Sequence, residues 1–436
     1  MTLTHDIRFL GTMAKPLARA ARVGAVASVR GRWRPYRSWT GAEITDYDPF
    51  DPRTAAQPHE AYRGLHAGGR VHYNPNRNIW ILSRLADVKA GARAADTLYS
   101  GDGVTRARVA LPLLVTTDGK RHNEMRRHVL PAFTKAALES WRPMIDELAA
   151  KLVGEVLDAP GCDVVQRLTI PMPMLLIAHM LGVPDGDLNE FRRWSEATVQ
   201  ATEVELSRRG IMSLTSSITG IRDIHRYFRN QFAVGGLKGS DTILGKLLDE
   251  NAGGSISDDE LFFFAFLLLL AGNETTTNLL GGMFDMFARR PETFDMIRAN
   301  HDLIPMAVEE LLRFYSPVQG LYRTARTDYQ VGDVTIPAGA RVLLCIGAAN
   351  RDPQVFDDPD EFRVDRNPTE HMAFGFGAHL CLGAQLTRME ARAVLRELAT
   401  RVDRIEVIGQ PRWSTNSTLR GPVEMTAKLF AAAAIK

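Results

Sequence analysis

One cysteine stands in a glycine-rich, aromatic segment whose composition suits metal ligation: Phe374-Gly375-Phe376-Gly377-Ala378-His379-Leu380-Cys381-Leu382-Gly383. Gly375 and Gly377 permit tight or left-handed turns. Cys381 directly precedes the amphipathic run Ala384–Arg401, so we expect its sulfur at a helix N-terminus, where N–H groups and the helix dipole favour a thiolate. Gly383 leaves room for a flat group. The segment therefore suits an axial thiolate ligand of haem iron, and the alternative is a buried structural cysteine.

A second segment interrupts an apolar run with small and polar residues. Ala271-Gly272-Asn273-Glu274-Thr275-Thr276-Thr277 follows Phe262–Leu270. A glycine and three threonines lower helix propensity, because threonine hydroxyls compete for the carbonyls four residues earlier. We expect a local kink and a groove in which a diatomic ligand fits between helix and metal. The alternative is a threonine-rich helix face with a solvent-exposed Glu274.

Both segments resemble motifs of the cytochrome P450 family, the haem-thiolate monooxygenases. The first matches the haem-binding signature at Phe374, Gly377, Cys381 and Gly383. The second matches the oxygen-activation motif Ala-Gly-x-Glu/Asp-Thr at Ala271, Gly272, Glu274 and Thr275, and it lies 106 residues before Cys381.

The resemblance assigns roles to these residues. It implies that Cys381 binds the iron of haem b, in the thiolate ligation that favours O–O cleavage in this family. Thr275 corresponds to the alcohol that holds the activated oxygen and a water. Glu274 corresponds to the carboxylate that helps relay protons from solvent, because the reaction consumes two protons in a dry pocket.

Charged residues match two further family features. Glu310 and Arg313 lie three apart on the helical run Ile304–Tyr315 and match the Glu-x-x-Arg element, with Arg366 as the candidate that completes it. The alternative is a surface pair. Four residues match the groups that neutralise haem propionates: His122, Arg126, Arg323 and His379. Arg127 adjoins Arg126 and is a competing candidate for its role.

The elements around these residues are mainly helical, with a minor β part. Periodicity predicts helices over His59–Ala67, Ala86–Ala95, Ala137–Leu157 and Met172–Leu181, and a β-hairpin over Val71–Leu82. Ser257-Asp258-Asp259-Glu260 is a capping box, and the helix that it starts should end near Arg289, before Pro291. The resemblance implies the cytochrome P450 fold, with this long central helix over the haem.

Composition limits the classes of protein to which the chain can belong. Its 436 residues are 45% hydrophobic, and its net charge of +2 predicts no nucleic-acid partner. Three cysteines far apart fit a reducing cytoplasm. The longest apolar run, Leu261–Gly272, is too short for a transmembrane anchor. We expect a basic N-terminal arm over 1–44, either a solvated tail or a contact with an anionic surface, and a single domain over 45–436.

The sequence therefore predicts an oxidoreductase that inserts one oxygen atom from O2 into a largely apolar small molecule. The resemblance implies electrons from NAD(P)H through ferredoxin and ferredoxin reductase, and Arg388 and Arg392 are candidate contacts for an acidic ferredoxin. Alternatives are a peroxide-using or rearranging haem-thiolate enzyme and a non-catalytic haem or ligand-binding protein. The pocket walls that the family topology implies are Phe262–Leu270, Val104–Val115, Val318–Leu321 and Thr418-Leu419. Arg106 and Arg108 either receive a carboxylate at the pocket mouth or face solvent.

Overall fold

A computed structural model of the chain describes residues 41–108, 111–200, 208–235, 237–250 and 257–433. The basic arm, residues 41–44 excepted, lies outside the described residues. These residues form two compact units, each assembled from separate stretches of the chain. The first unit comprises the described residues up to Arg126, with Val318–Asp360 and Met372–Cys381. The second comprises Arg127–Pro317, Glu361–His371 and the described residues from Leu382 onward. The single domain expected over 45–436 stays a prediction.

The described residues are mainly helical, as predicted. The helices are α1 (Pro52–Ala56), α2 (His59–Ala67), α3 (Leu85–Arg93), α4 (Gly119–Val129), α5 (Lys135–Glu139), α6 (Arg142–Leu157), α7 (Pro171–Leu181), α8 (Leu188–Gln200), α9 (Arg208–Val234), α10 (Ile243–Glu250), α11 (Asp258–Arg289), α12 (Pro291–Ala299), α13 (Ile304–Tyr315), α14 (Ile346–Ala349) and α15 (Ala384–Arg401). The strands are β1 (Glu43–Ile44), β2 (Val71–Asn74), β3 (Ile79–Leu82), β4 (Leu98–Tyr99), β5 (Cys162–Asp163), β6 (Leu321–Ala325), β7 (Tyr329–Val331), β8 (Val334–Ile336), β9 (Arg341–Leu344), β10 (Val402–Val407), β11 (Arg412–Trp413), β12 (Pro422–Glu424) and β13 (Thr426–Ala431).

The first unit is built on a six-stranded sheet in the order β1-β2-β3-β9-β6-β4. The predicted hairpin is present as the antiparallel pair β2–β3. Strand β6 lies between β9 and β4 and pairs antiparallel with both. Because side chains alternate along a strand, Arg323 of β6 points to the face opposite that of Tyr322 and Thr324. Arg323, which we expect at the cofactor, therefore lies on a strand that is hydrogen-bonded along both of its edges.

The second unit is organised around α11, the long helix that the capping box predicts. Ser257 accepts a hydrogen bond from the backbone N–H of Glu260, and the Glu260 carboxylate accepts one from the backbone N–H of Ser257. The helix then runs for 32 residues and ends at Arg289, before Pro291. The residues Leu261–Phe266 are all buried, which is the pattern of a helix packed on every side.

The apolar composition of α11 resembles that of a membrane-spanning helix. Among the described residues, it is the one helix long and apolar enough to span a bilayer, with a mean hydropathy of 1.2 over its most apolar window. However, 61% of that window is buried inside the protein. The helix therefore has the burial of a core helix.

One predicted helix is in fact two. The sequence indicated a continuous helix over Ala137–Leu157, but α5 ends at Glu139 and α6 begins at Arg142. Pro143 lies in the first turn of α6, where its missing N–H costs nothing. In a continuous helix the N–H of residue 143 would donate to the carbonyl oxygen of Glu139, and proline has no N–H to donate. This explains the break that apolar periodicity alone did not predict.

The predicted Glu-x-x-Arg network is present and buried. Glu310 and Arg313 of α13 are both 0% exposed, and two hydrogen bonds of 2.7 Å join the guanidinium to the two carboxylate oxygens. Arg366 donates from Nε to Oε1 of Glu310 at 3.0 Å. The guanidinium groups of Arg313 and Arg366 both donate to the carbonyl oxygen of Glu361. Arg366 therefore completes the network, as predicted, and the surface-pair alternative is wrong.

Candidate functional site

The residues Phe374–Cys381 of the cysteine segment fold as a closed loop in the first unit. The backbone N–H of Cys381 donates to the carbonyl oxygen of Phe374 at 3.0 Å, and that of Leu380 donates to Gly377 at 3.1 Å. Gly375 and Gly377 have φ of 71° and 73°, in the left-handed region that favours glycine. A Cβ at Gly377 would also lie 3.3 Å from the carbonyl oxygen of Ala92. These constraints leave the Cys381 side chain exposed.

Cys381 stands two residues before Gly383, which is the N-cap of α15. The predicted position just ahead of a helix N-terminus is therefore correct. The Phe376 ring packs under the cationic side chains of Lys89 and Arg93, whose charges lie 5.6 and 4.5 Å from the ring centroid. The loop is thus attached to α3 by cation–π contacts.

Three of the four predicted propionate ligands converge beside the cysteine loop. The His122 and His379 rings lie 4.4 Å apart between centroids, and Arg126 donates from Nη2 to the carbonyl oxygen of Leu380 at 2.8 Å. His122 is 1% exposed, and its Nε2 has no hydrogen-bond partner among the described residues. Burial lowers the pKa of His122, and the neighbouring His379 lowers it further. Arg127, the competing candidate, is exposed, whereas Arg126 is half-buried against the loop.

Arg323 is the fourth predicted ligand, and it is deeply buried. Its exposed fraction is 4%, and the hydrogen bond that the structure describes for it runs from Nη1 to the carbonyl oxygen of Tyr322 at 2.9 Å. Burial lowers the pKa of Arg323 to about 10, while the charge of Asp118 opposes that shift. The group therefore remains a cation at neutral pH. A buried guanidinium with so few partners calls for an anion.

Asp118 is a residue of this site that the sequence analysis missed. Its carboxylate accepts hydrogen bonds from the backbone N–H groups of Ser100 and Gly101 at 2.8 and 3.0 Å and from the Ser100 hydroxyl at 2.7 Å. It also pairs with Nε2 of His379 at 2.9 Å. Burial alone would raise the pKa of Asp118, but the hydrogen bonds from His379 and Ser100 lower it to about 2. The sequence feature that could have identified Asp118 is its position immediately before α4.

The donors in the first unit fit a haem group. Haem iron binds a cysteine as its thiolate, and the exposed Cys381 sulfur is accessible for such a bond. The orphaned His122 Nε2, the buried Arg323 guanidinium and the Arg126 guanidinium suit two carboxylates. The loop glycines keep side chains away from a flat group. A structural cysteine would be buried, and Cys381 is not.

The oxygen-activation motif lies on α11 in the second unit. The helix is continuous through residues 271–277. The Thr275 hydroxyl donates to the carbonyl oxygen of Ala271 at 2.7 Å, as the predicted competition for that carbonyl requires. A Cβ at Gly272 would lie 2.7 Å from the Ile177 side chain, so this glycine allows α7 to pack closely against α11. Glu274 is half-buried, which differs from the solvent-exposed glutamate of the alternative.

The side of α11 that is partly exposed includes fewer residues than the predicted pocket wall Phe262–Leu270. Phe262, Phe263, Phe264 and Phe266 are all buried at 8% exposure or less and form part of the core. Leu267, Leu270, Ala271 and Glu274 are partly exposed, and their spacing places them on one side of the helix. An apolar stripe therefore leads directly to Glu274 and Thr275.

A cavity of about 40 Å³ lies on another side of α11 within the second unit. Its lining includes Gly272 and Thr276 of α11 and Gly383, Thr387 and Glu390 near or on α15. Glu390 is 2% exposed, and its Oε2 has no partner among the described residues. Burial raises the pKa of Glu390 to about 8. The sequence analysis missed this carboxyl, because a glutamate in an amphipathic helix is normally expected to face solvent.

The comparisons with known proteins agree with this geometry. A family model described as cytochrome P450 matches residues 236–401. The beta-dihydromenaquinone-9 omega-hydroxylase of Mycobacterium tuberculosis is 46% identical over 420 residues, which are 96% of this chain and 86% of that protein. The structure of CYP109Q5 from Chondromyces apiculatus matches with a TM-score of 0.80 and 30% identity, over 89% of this chain and 99% of that one. CYP109E1 from Bacillus megaterium, in complex with corticosterone, matches with a TM-score of 0.77 and 30% identity, over 87% and 98%.

A relative that is 46% identical over nearly the whole chain decides the family. The fold and the cysteine loop define a haem-thiolate protein, and the chain belongs to the cytochrome P450 family. It is an oxidoreductase of the monooxygenase class. The predicted family, fold class and enzyme class are therefore confirmed. Members of the family use O2 and a redox partner on small-molecule substrates.

Proposed function

We propose that this protein hydroxylates a hydrocarbon-rich lipid, with isoprenoid lipids as the substrate class. The reaction combines substrate C–H, O2, two electrons and two protons, and it yields the alcohol and water. Haem b, when bound through Cys381, supplies the activation of O2 and the redox chemistry. The observation that carries the proposal is the exposed Cys381, with Arg126, His122 and His379 at its loop, in a chain 46% identical to a menaquinone omega-hydroxylase.

In this proposal the protein residues have separate roles. Cys381 provides the thiolate, while Arg126, Arg323, His122 and His379 bind the two carboxylates of the cofactor. Thr275 holds a hydrogen-bonded proton at its hydroxyl, and it can exchange the Ala271 carbonyl for another acceptor by rotating about χ1. Glu274, the adjacent residue, is half-buried and holds or passes the protons that the reaction consumes.

The apolar substrate is supported by the stripe of α11 that leads to these groups. Leu267, Leu270 and Ala271 offer no hydrogen bonds, so a polar ligand there would leave its own groups unsatisfied at a cost of about 1–3 kcal/mol each. Apolar burial gains about 25 cal/mol per Å². The relative with 46% identity acts on a lipid quinone by name, and CYP109E1 was crystallised with a steroid. Both compounds are hydrocarbon-rich.

A carboxylate at the pocket mouth has less support. Arg108 donates to the carboxylate of Asp102 at 3.3 Å and to the carbonyl oxygen of Gly339 at 2.5 Å. Arg106 donates from Nε and Nη2 to the carbonyl oxygen of Arg77. Both guanidinium groups are therefore engaged within the first unit. This favours a neutral lipid over a fatty acid.

We further propose that a ferredoxin and its reductase supply electrons from NAD(P)H in the cytoplasm. Two arginines are expected at the docking surface. Arg388 donates two hydrogen bonds to the carboxylate of Glu309, at 2.7 and 2.8 Å. Arg392 is 3.5 Å from the same carboxylate. One glutamate thus faces two arginines, and the local charge stays positive, which suits an acidic partner.

Two measurements test the proposal. The reduced carbonyl complex should show the long-wavelength Soret band of thiolate ligation, and Cys381→Ser should lose it while Cys345→Ser and Cys162→Ser keep it. Titration with a polyprenyl quinone should shift the haem spin state and give a hydroxylated product by mass spectrometry. Retention of the band by Cys381→Ser would exclude the assigned ligand. Spin-state shifts with polar ligands alone would exclude the substrate class.

A further inference from the structure

A buried arginine of the first unit, Arg341 on β9, has no role in the site described above. Its exposed fraction is 5%. The guanidinium donates from Nη1 to the Thr324 hydroxyl at 2.9 Å and from Nη2 to the carbonyl oxygen of Gly103 at 2.6 Å. Nη2 also donates to the carbonyl oxygen of Thr105. Two acceptors on a single loop therefore converge on one nitrogen.

Arg341 acts as a clamp on this loop, because its charged guanidinium binds two backbone carbonyls of the loop. Burial, together with the nearby charge of Arg108, lowers the pKa of Arg341 to about 9, so the group stays protonated at neutral pH. Its guanidinium carbon lies 5.5 Å from the centroid of the Tyr322 ring, which adds a cation–π contact. Burying a cation is costly unless its donors are satisfied. The Gly103 and Thr105 carbonyls supply acceptors for Nη2 only when the loop is in place, while Nε has no hydrogen-bond partner among the described residues.

The clamped loop, residues 100–108, is also hydrogen-bonded to β6. The backbone N–H of Tyr322 donates to the carbonyl oxygen of Val104 at 2.9 Å. Asp118 holds the beginning of the loop at Ser100 and Gly101. Arg341 holds the carbonyls on either side of Val104, so the middle of the loop depends on it. The loop therefore runs between an anionic and a cationic anchor, beside the strand that carries Leu321 and Arg323.

We propose that Arg341 is a positioning residue that determines substrate selectivity by fixing loop 100–108. The inference rests on the proposed function, because the loop borders residues assigned there to the cofactor: Val104 is hydrogen-bonded to Tyr322 beside Arg323, and the Ser100 hydroxyl lies 3.3 Å from Nε2 of His379. The side chain contacts the loop backbone, not the substrate. Without the clamp, the Gly103 and Thr105 carbonyls lose a charged donor and the loop samples other positions. The wall that it forms then fits chains of different length less selectively.

The test compares Arg341→Met with Arg412→Met. Arg412 is a suitable control because it is 66% exposed and pairs with Glu424 in the second unit. Each variant is first checked for haem content and the carbonyl spectrum. The measured quantity is the ratio of kcat/KM for a short and a long isoprenoid chain. Hydrogen exchange of a peptide covering 100–108 provides a readout that does not depend on activity.

Arg341→Met should keep haem, change the selectivity ratio by at least about tenfold and raise exchange in 100–108, while the control matches the wild type. Arg341→Lys should fall between them, because an ammonium lacks the planar fork. If Arg341→Met does not fold, Arg341→Lys carries the test. Faster exchange with an unchanged ratio, or unchanged exchange, would overturn the proposal. Failure of the wild type to turn over either chain would instead count against the proposed substrate class.

Discussion

At the scale of single residues, Thr275 has the sharpest expected phenotype. Thr275→Ala should retain haem and ligand binding, because the hydroxyl bonds to the Ala271 carbonyl of its own helix and to no other element that the structure describes. In the proposed mechanism, proton delivery then loses its positioned donor. Product per NADH should fall by about tenfold or more, with hydrogen peroxide rising in proportion. Coupled assays of NADH, peroxide and product measure this.

The matched control for Thr275 is two residues away. The Thr277 hydroxyl donates to the carbonyl oxygen of Thr169 at 3.0 Å, in the core of the second unit. Thr277→Ala should lower stability slightly and leave coupling unchanged. Equal coupling in Thr275→Ala and the wild type would remove Thr275 from proton delivery.

Residue types and spacing were enough to predict that Cys381 precedes a helix and that Arg366 pairs with Glu310, while the cofactor roles of Cys381 and Arg126 stay predictions. They were not enough for Asp118 or Glu390. Asp118 acquires its importance from His379, which is 261 residues away in sequence. Glu390 becomes unusual only because, in the part of the chain that the structure describes, no partner reaches its buried Oε2. Both depend on tertiary contacts that periodicity does not encode.

At the scale of elements, local signals predicted α2, α11, α13 and α15 closely, since caps and prolines mark their ends. The α5–α6 break was missed because apolar spacing continued across it. The extent of the wall on α11 was also missed. The four phenylalanines between Phe262 and Phe266 were expected to form a ligand-facing surface. In the structure they are buried in the core, and Leu267 and Leu270 are partly exposed instead.

The network at the end of α13 yields a stability prediction. Glu310→Gln removes the carboxylate charge that faces two buried arginines, so it should cost about 3–5 kcal/mol of unfolding free energy. Arg366→Ala removes one hydrogen bond to Glu310 and should cost less. Urea unfolding of the purified protein provides both values. A smaller cost for Glu310→Gln than for Arg366→Ala would contradict the idea that the carboxylate is the centre of the network.

At the scale of the whole molecule, the basic arm should be dispensable for cofactor binding. Every residue assigned to the haem or to proton delivery lies at or beyond His122, and the first strand of the first unit begins at Glu43. Deletion of residues 1–40 should therefore leave the carbonyl spectrum and the haem content unchanged. Absorption spectroscopy of the truncated protein measures this, and loss of haem would show that the arm belongs to the fold.

Glu390 gives the whole molecule a distinctive dependence on pH. Burial raises the pKa of its carboxyl from the ordinary 4.5 to about 8. Between these values the folded chain binds one proton more than the unfolded chain. The stabilising contribution is complete below pH 4.5 and is lost as pH rises toward 8, at about 1.4 kcal/mol per pH unit. The low pKa of Asp118, about 2, acts in a separate, acidic window.

Glu390→Gln tests that dependence, because an amide keeps the shape of the carboxyl and cannot ionise. The variant should match the wild type near pH 5 and become progressively more stable than it toward pH 8. Glu155→Gln, at an exposed position on α6, should follow the wild type across the range. Chemical denaturation at several pH values measures the difference. Parallel curves for Glu390→Gln and the wild type would mean that Glu390 ionises at its ordinary pKa, with water or a counter-charge reaching the cavity in solution.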